Sequence, residues 1–203
     1  MWLCTLLVHT PHTIQVWGIV SFIIAGFYHN LHFDKRKSTP HFLFILTSRI
    51  GVGRTNYHIY IGDNIERIGD NIFRECESLT SVYIPNSVTE IGASAFTYCS
   101  SLESITIPNS VTTIGDWAFC ICDSLTSVTI PNSVTTIGHD AFNWCDNLRT
   151  VYCEAITPPI VGSEVFNNNA GYRIIYVPTI AVAAYQAADG WSDYADYIVG
   201  YDF

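Results

Sequence analysis

The sequence predicts an α/β repeat solenoid, rich in β-structure, with parallel strands along one face, short helical turns on the other and a capping segment at its C-terminal end. Three observations predict it. Segments 78–100, 101–123 and 124–146 align without a gap, and 14 of the 23 positions are identical in all three. Within each unit the apolar spacing changes partway, so that neither one helix nor one long strand fits it. A unit of this size cannot bury its own apolar face, so it must stack on copies of itself, and three or more are needed for stability.

In the middle copy the apolar positions are Leu102, Ile105, Ile107, Val111, Ile114, Ala118, Phe119 and Cys122. Leu102 to Ile107 reads as a strand, ended by Pro108-Asn109, because proline cannot donate to a ladder and asparagine favours turns. Val111 to Ile114 recrosses the core, and Gly115 is expected at a positive φ. Asp116 to Cys122 then reads as a short helical turn packing Ala118, Phe119 and Cys122 inward. Phe73, Phe96, Phe119 and Phe142 are expected to form one interior column. A looser copy, 55–77, keeps Ile59, Ile61, Ile65, Ile68, Gly69, Phe73 and Cys76 in register; a fifth starts at Asn147 and loses the pattern near Pro158. Cys76, Cys99, Cys122 and Cys145 recur with the repeat. They read either as small buried hydrophobes or as partners for cross-coil pairing under oxidation.

Alternation along each strand sets one row of side chains toward solvent. The row is Tyr60, Tyr83, Thr106, Thr129 and Tyr152, flanked by Ser81, Ser104, Ser127 and Thr150. Tyrosine combines contact area with a polar tip and charge is scarce here, which suits a protein-binding face. The same residues are also good strand formers that pair across strands. A secondary candidate row lies on the turn side at Trp117, His139, Asp140 and Trp144, with Asp70, Asn71, Ser94, Asp116 and Tyr98 nearby.

The unit S-L-x-S-[VI]-x-I-P-N-S-V-T-x-I-G-x-x-A-F-x-x-C resembles the BspA-type leucine-rich repeat of surface proteins from anaerobic bacteria and of surface antigens from some protist parasites. The likeness covers residues 55–157. Thr157-Pro158-Pro159, Tyr176-Val177-Pro178, Ala184-Tyr185 and Gly190-Trp191 are similar to the segment that closes such arrays in gut Bacteroidetes. The resemblance implies a leucine-rich-repeat fold, a cell-surface or secreted location, and attachment to a host matrix or cell-surface protein or to another microbial surface protein. It brings no catalytic residue and no cofactor. A repeat fragment or spacer without a ligand of its own is the alternative from a different class.

Residues 158–203 fit a cap for the exposed end of such an array. Arg173 to Val177 reads as a strand, Pro178-Thr179 as a helix start, Ile180 to Ala188 as a short helix and Gly190 as its stop. Trp191, Tyr194, Tyr197 and Ile198 share one helical face, suited to covering the last coil or to stacking on a ligand. Residues 1–54 differ in composition, with five Lys or Arg against Asp34. The stretch suited to membrane association is residues 14–28, short of the roughly 20 residues that span a bilayer. An atypical targeting or membrane segment, an N-terminal cap and sequence foreign to the mature protein all remain open for 1–54.

Chemistry-bearing patterns are sparse. After residue 54 the chain holds 17 acidic residues against four basic ones, which removes the electrostatic footprint of a nucleic-acid binder. Gly51-Val52-Gly53 lacks the third glycine and the strand–loop–helix setting of a phosphate loop. His9 with His12 and His29 with His32 have helical spacing but no acidic or thiol partner for a metal. Glu90, Glu103, Asp116 and Asp140 fall at variable repeat positions, as do His58 and His139. No metal, cofactor or enzymatic activity is expected.

Overall fold

The computed structural model describes residues 43–48 and 56–203, so that the apolar stretch 14–28 lies outside the described residues. Successive copies stack as coils. On the first face, strands Asn56–Ile61, Leu79–Tyr83 and Ser104–Ile105 run parallel. Leu43–Ser48 pairs antiparallel with Asn56–Ile61 and so occupies the open edge of the first coil. Ser127–Ile130, Thr150–Cys153, Ile174–Pro178 and Ile198–Tyr201 continue the face in parallel, and a bridge from Thr106 to Thr129 joins the two groups. A second parallel sheet is built from Arg67–Ile68, Glu90–Ile91, Thr113–Ile114, Thr136–Ile137 and Ile160–Val161. No helix among the described residues is long and apolar enough to cross a membrane.

The expected phenylalanine column is present. Phe73, Phe96, Phe119 and Phe142 stack nearly parallel with ring centroids 5.1, 5.2 and 5.1 Å apart. That separation is the rise of one coil, close to the spacing of adjacent strands. Leu79, Leu102, Leu125 and Leu148 form a second buried column, and Ile68, Ile91, Ile114 and Ile137 a third.

The repeated polar residues tie each coil to the one before. The hydroxyls of Ser87, Ser110 and Ser133 donate to the carbonyls of Ile65, Val88 and Val111 at 2.7, 2.6 and 2.8 Å. Those of Thr89, Thr112 and Thr135 donate to Glu66, Thr89 and Thr112 at 3.1 to 3.2 Å. The Glu66, Thr89 and Thr112 carbonyls accept the backbone N–H of Thr89, Thr112 and Thr135 as well, so that each of these carbonyls has a partner in the adjoining coil.

The recurrent cysteines do comparable work inside the core. Cys99, Cys122 and Cys145 donate from sulfur to the carbonyls of Phe73, Phe96 and Phe119 at 3.2, 3.3 and 3.1 Å. All six described cysteines are free thiols. Burial pushes the Cys76 and Cys120 thiols up to about 11 and raises those of Cys99, Cys122 and Cys153 as well. An unfolded chain gives up these protons first, from about pH 8.5, so the thiols' contribution is full below that pH and is lost as pH rises through 11. The urea midpoint should therefore fall as pH rises from about 8.5 toward 11, the unfolding free energy dropping on the order of 1 kcal/mol per pH unit for each buried thiol. A midpoint that stays level across this range would contradict the assignment.

Three local expectations are corrected. Gly115 is not in the left-handed region; among the described glycines only Gly190 is. Its reason is close approach, since a β-carbon there would lie 2.6 Å from the Ala93 nitrogen and 2.7 Å from the Gly92 carbonyl carbon. The stretch from Asp116 to Cys122 is a set of hydrogen-bonded turns rather than a helical turn. Positive φ falls on Trp117 and Ile121, and on the equivalent residues of every other coil, which breaks the helical ladder. Alternate backbone N–H groups then point into the next coil, as where Trp117, Phe119 and Ile121 donate to His139, Ala141 and Asn143. Finally, the repeat does not end near Pro158. Ile160–Val161 pairs with Thr136–Ile137, and Phe166 adds a fifth ring to the column, 5.7 Å from Phe142.

The cap closes this last coil. A 3-10 turn at Thr179–Ala181 leads into the helix Val182–Ala187, and a second 3-10 turn spans Ser192–Tyr197. Trp191 and Tyr194 are buried against Phe166, at 5.9 and 5.6 Å. Their polar tips find backbone partners, as buried tyrosine and tryptophan require. Trp191 Nε1 donates to Pro159 at 2.8 Å, the Tyr185 hydroxyl donates to Ala155 at 2.8 Å, and the Tyr194 hydroxyl accepts from the Phe166 N–H at 3.1 Å. Arg173 is buried between Tyr194 and Tyr197, its guanidinium 5.1 and 4.7 Å from their centroids. These aromatics pack; they do not present a stacking platform.

Candidate recognition surface

The outward row of the first face follows from the pleat. Ile59, Val82, Ile105, Val128 and Val151 point inward and are buried, so the residue after each must point out. Tyr60, Tyr83, Thr106 and Thr129 are exposed, the two rings at 47% and 53%. No Lys, Arg, Asp or Glu stands among positions 81–83, 104–106, 127–129 or 150–152. The Tyr60 and Tyr83 rings lie 6.0 Å apart, and His58 shares a hydrogen bond with Ser81 beside them. Between the second and third coils a shallow groove opens, lined by Tyr83, Asn86, Thr106, Pro108, Asn109 and Ser110.

Tyr152 differs from the rest of its row in being half-buried. Its ring stacks on Tyr176 at 5.1 Å, and Tyr201 and Phe203 meet it edge-on at 5.7 and 6.3 Å. The row therefore continues through Tyr176 and Val199 onto the cap strands, in register with Tyr152. Sequence reasoning missed this extension, although a signal existed. Ile174 to Pro178 repeats the pattern of Ser127 to Pro131, with Ile175 and Val177 inward and Tyr176 outward.

The turn face holds the secondary candidates. Trp117 and Trp144 are 46% and 52% exposed, and Tyr98 is 42% exposed. His139 and Asp140 are engaged within the fold. The His139 Nδ1 accepts from the Ser163 backbone N–H at 3.0 Å, and the Asp140 carboxylate accepts from the Asn143 side-chain amide. Asp116 likewise accepts from the His139 N–H at 2.8 Å, as Asp70 does from Ala93 at 2.9 Å. Residues with variable identity thus cap one coil onto the next, a role that single-copy reading could not reveal. Of the other carboxylates singled out, Glu90 pairs with Arg67 at 2.9 Å across the second sheet and Glu103 is exposed. No cluster of three metal-ligating side chains occurs among the described residues.

Comparison with known proteins bears on this geometry. A family model described as the BspA type leucine rich repeat region matches residues 55–173 in six copies. Among solved structures the chain is similar to a leucine rich cell surface protein from Faecalibacterium prausnitzii A2-165, at 24% identity and a TM-score of 0.54, over 73% of this chain and 40% of that one. It is similar to the pneumococcal vaccine antigen PcpA, at 16% identity and a TM-score of 0.53, over 72% and 42%. A leucine-rich repeat protein from Bacteroides ovatus ATCC 8483 matches at 26% identity and a TM-score of 0.44, over 60% and 43%. The chain thus spans about two fifths of the length of these structures. Curated proteins give no match.

Proposed function

The chain belongs to the BspA-type leucine-rich-repeat family, and on that premise we propose that it is a cell-surface or secreted interaction protein, an adhesin rather than an enzyme. Its partner is a host matrix or cell-surface protein, or a surface protein of another microbe, bound on the first face. One observation carries this reading: the face presents an uncharged row of Tyr60, Tyr83, Thr106 and Thr129 on a rigid parallel sheet, continued by Tyr152 and Tyr176. Rigid tyrosines supply contact area at small entropic loss and are enriched where interfaces concentrate their energy. The surface location is supported by the similarity to the leucine rich cell surface protein from Faecalibacterium prausnitzii.

A purely structural spacer is the second reading, favoured by the contacts of Tyr60 with Tyr83 and of Tyr152 with Tyr176, which also stabilise the sheet. Replacing Tyr60 and Tyr83 by threonine separates the two, because threonine already fills this position in two coils and keeps strand propensity. Binding of the full chain to immobilised matrix proteins should drop by about 100-fold, with the melting temperature nearly unchanged. Undiminished attachment by the double variant would exclude the face.

A further inference from the structure

The turn face carries an aromatic patch that folding does not require. Tyr98, Ile121 and Trp144 occupy the same position of three successive coils, and Trp117 lies four residues before Ile121. All four sit at positive φ, at 63°, 60°, 57° and 54°. A residue with a β-carbon is disfavoured there by about 1–2 kcal/mol, and a β-branched one more so. Other coils place Asn71, Ser94 or Asp140 at the equivalent of Trp117, and Glu75 or Asn168 at the equivalent of Trp144. Small or polar side chains therefore satisfy the backbone. The rings of Tyr98, Trp117 and Trp144 bring both conformational strain and exposed apolar surface.

Charge tells which occupant suits the patch. From residue 75 to residue 148 there is no Lys or Arg, against Glu75, Glu77, Glu90, Glu103, Asp116, Asp123, Asp140 and Asp146. The basic residues that bracket this run are engaged, Arg67 with Asp70 and Glu90, Arg74 with Glu75, and Arg149 over the Tyr172 ring. On the turn face the Asp116 and Asp140 carboxylates are committed to His139 and Asn143. Asp123 and Asp146, each two residues beyond the Ile121 and Trp144 position, are equivalent in successive coils. Burial and then the neighbouring Asp146 raise the Asp123 carboxyl above its ordinary range. Two like charges held one coil apart are relieved by a cation, and tryptophan gives the strongest ring contact for one.

We propose that the turn face is a second binding surface, opposite in character to the tyrosine row, which takes a Lys/Arg-rich segment of a partner protein, with Trp117 and Trp144 contacting its cationic side chains and Asp123 and Asp146 supplying the charge.

The test uses the full chain against an immobilised peptide of alternating arginine and serine, with a glutamate-for-arginine peptide as control. The unsubstituted chain should bind the first peptide and not the second. Trp117→Gly with Trp144→Gly, at unchanged net charge, should weaken binding about tenfold. Its melting temperature should be unchanged or raised, because glycine removes the strain, so that lost binding is not lost folding. Asp123→Asn with Asp146→Asn should weaken binding similarly, whereas Glu103→Gln with Glu154→Gln, the same change of charge elsewhere, should stay within twofold. Full binding by the tryptophan variant, or equal weakening by both charge pairs, would reduce the effect to net-charge attraction and overturn the proposal. None of these substitutions touches the tyrosine row, so the two surfaces succeed or fail separately.

Discussion

Phe119→Ala is expected to destabilise the chain by about 3–5 kcal/mol, the range for emptying a buried phenylalanine site. Phe119 is fully buried, with Phe96 stacked on one face and Phe142 on the other. The vacated space cannot close by collapse, since the neighbouring rings belong to coils held apart by their own ladders. Ile121 N–H to the Asn143 carbonyl at 3.0 Å and Gly115 N–H to the Ile91 carbonyl at 2.8 Å fix that separation on opposite sides of the coil. Phe73→Ala should lose clearly less, because Phe73 begins the described column and stacks on Phe96 alone. Urea unfolding of the two variants beside the parent chain makes the comparison. A loss below 1 kcal/mol for Phe119→Ala, or an equal loss for Phe73→Ala, would show that the rings do not share one core.

The column was legible in the sequence because it depends on a period alone: identical residues 23 apart must recur in equivalent places if the units stack. The same logic made the Tyr60 to Tyr152 row legible, since alternation along a strand needs no knowledge of its neighbours. Phe166 was hidden by one inserted residue beside Pro158-Pro159, which moves Val161-Gly162 and Val165-Phe166 out of phase with Ile137-Gly138 and Ala141-Phe142. The turn side was misread for a different reason. Spacing of Ala118, Phe119 and Cys122 is compatible with a helix, but the N–H groups of Trp117, Phe119 and Ile121 reach the next coil, a preference that no single unit contains. Trp117 and Trp144 were legible as exposed rings and illegible as strained ones. Their positive φ is imposed by that inter-coil ladder and not by their own propensities.

Gly115→Ala is expected to cost about 3 kcal/mol or more, at or above the upper end for overpacking. The added β-carbon would meet the Ala93 nitrogen, the Gly92 carbonyl carbon and the Ala93 α-carbon at 2.6, 2.7 and 3.0 Å. These are backbone atoms of the preceding coil, so no side chain can swing aside. Relief requires the coils to part, which breaks the bond from the Gly115 N–H to the Ile91 carbonyl and disturbs the Phe96–Phe119 stack. Gly69 occupies the same place in its coil, yet a β-carbon there meets nothing within 4 Å. Gly69→Ala should therefore be neutral or stabilise by about 0.4–1 kcal/mol, through reduced freedom of the unfolded chain. The pair distinguishes the two reasons for which a repeat keeps a glycine. A left-handed backbone would penalise both positions alike, whereas contact between stacked coils penalises Gly115 and spares Gly69. Thermal and urea melts of both variants decide it, and matching losses would refute close approach as the reason for the glycine column.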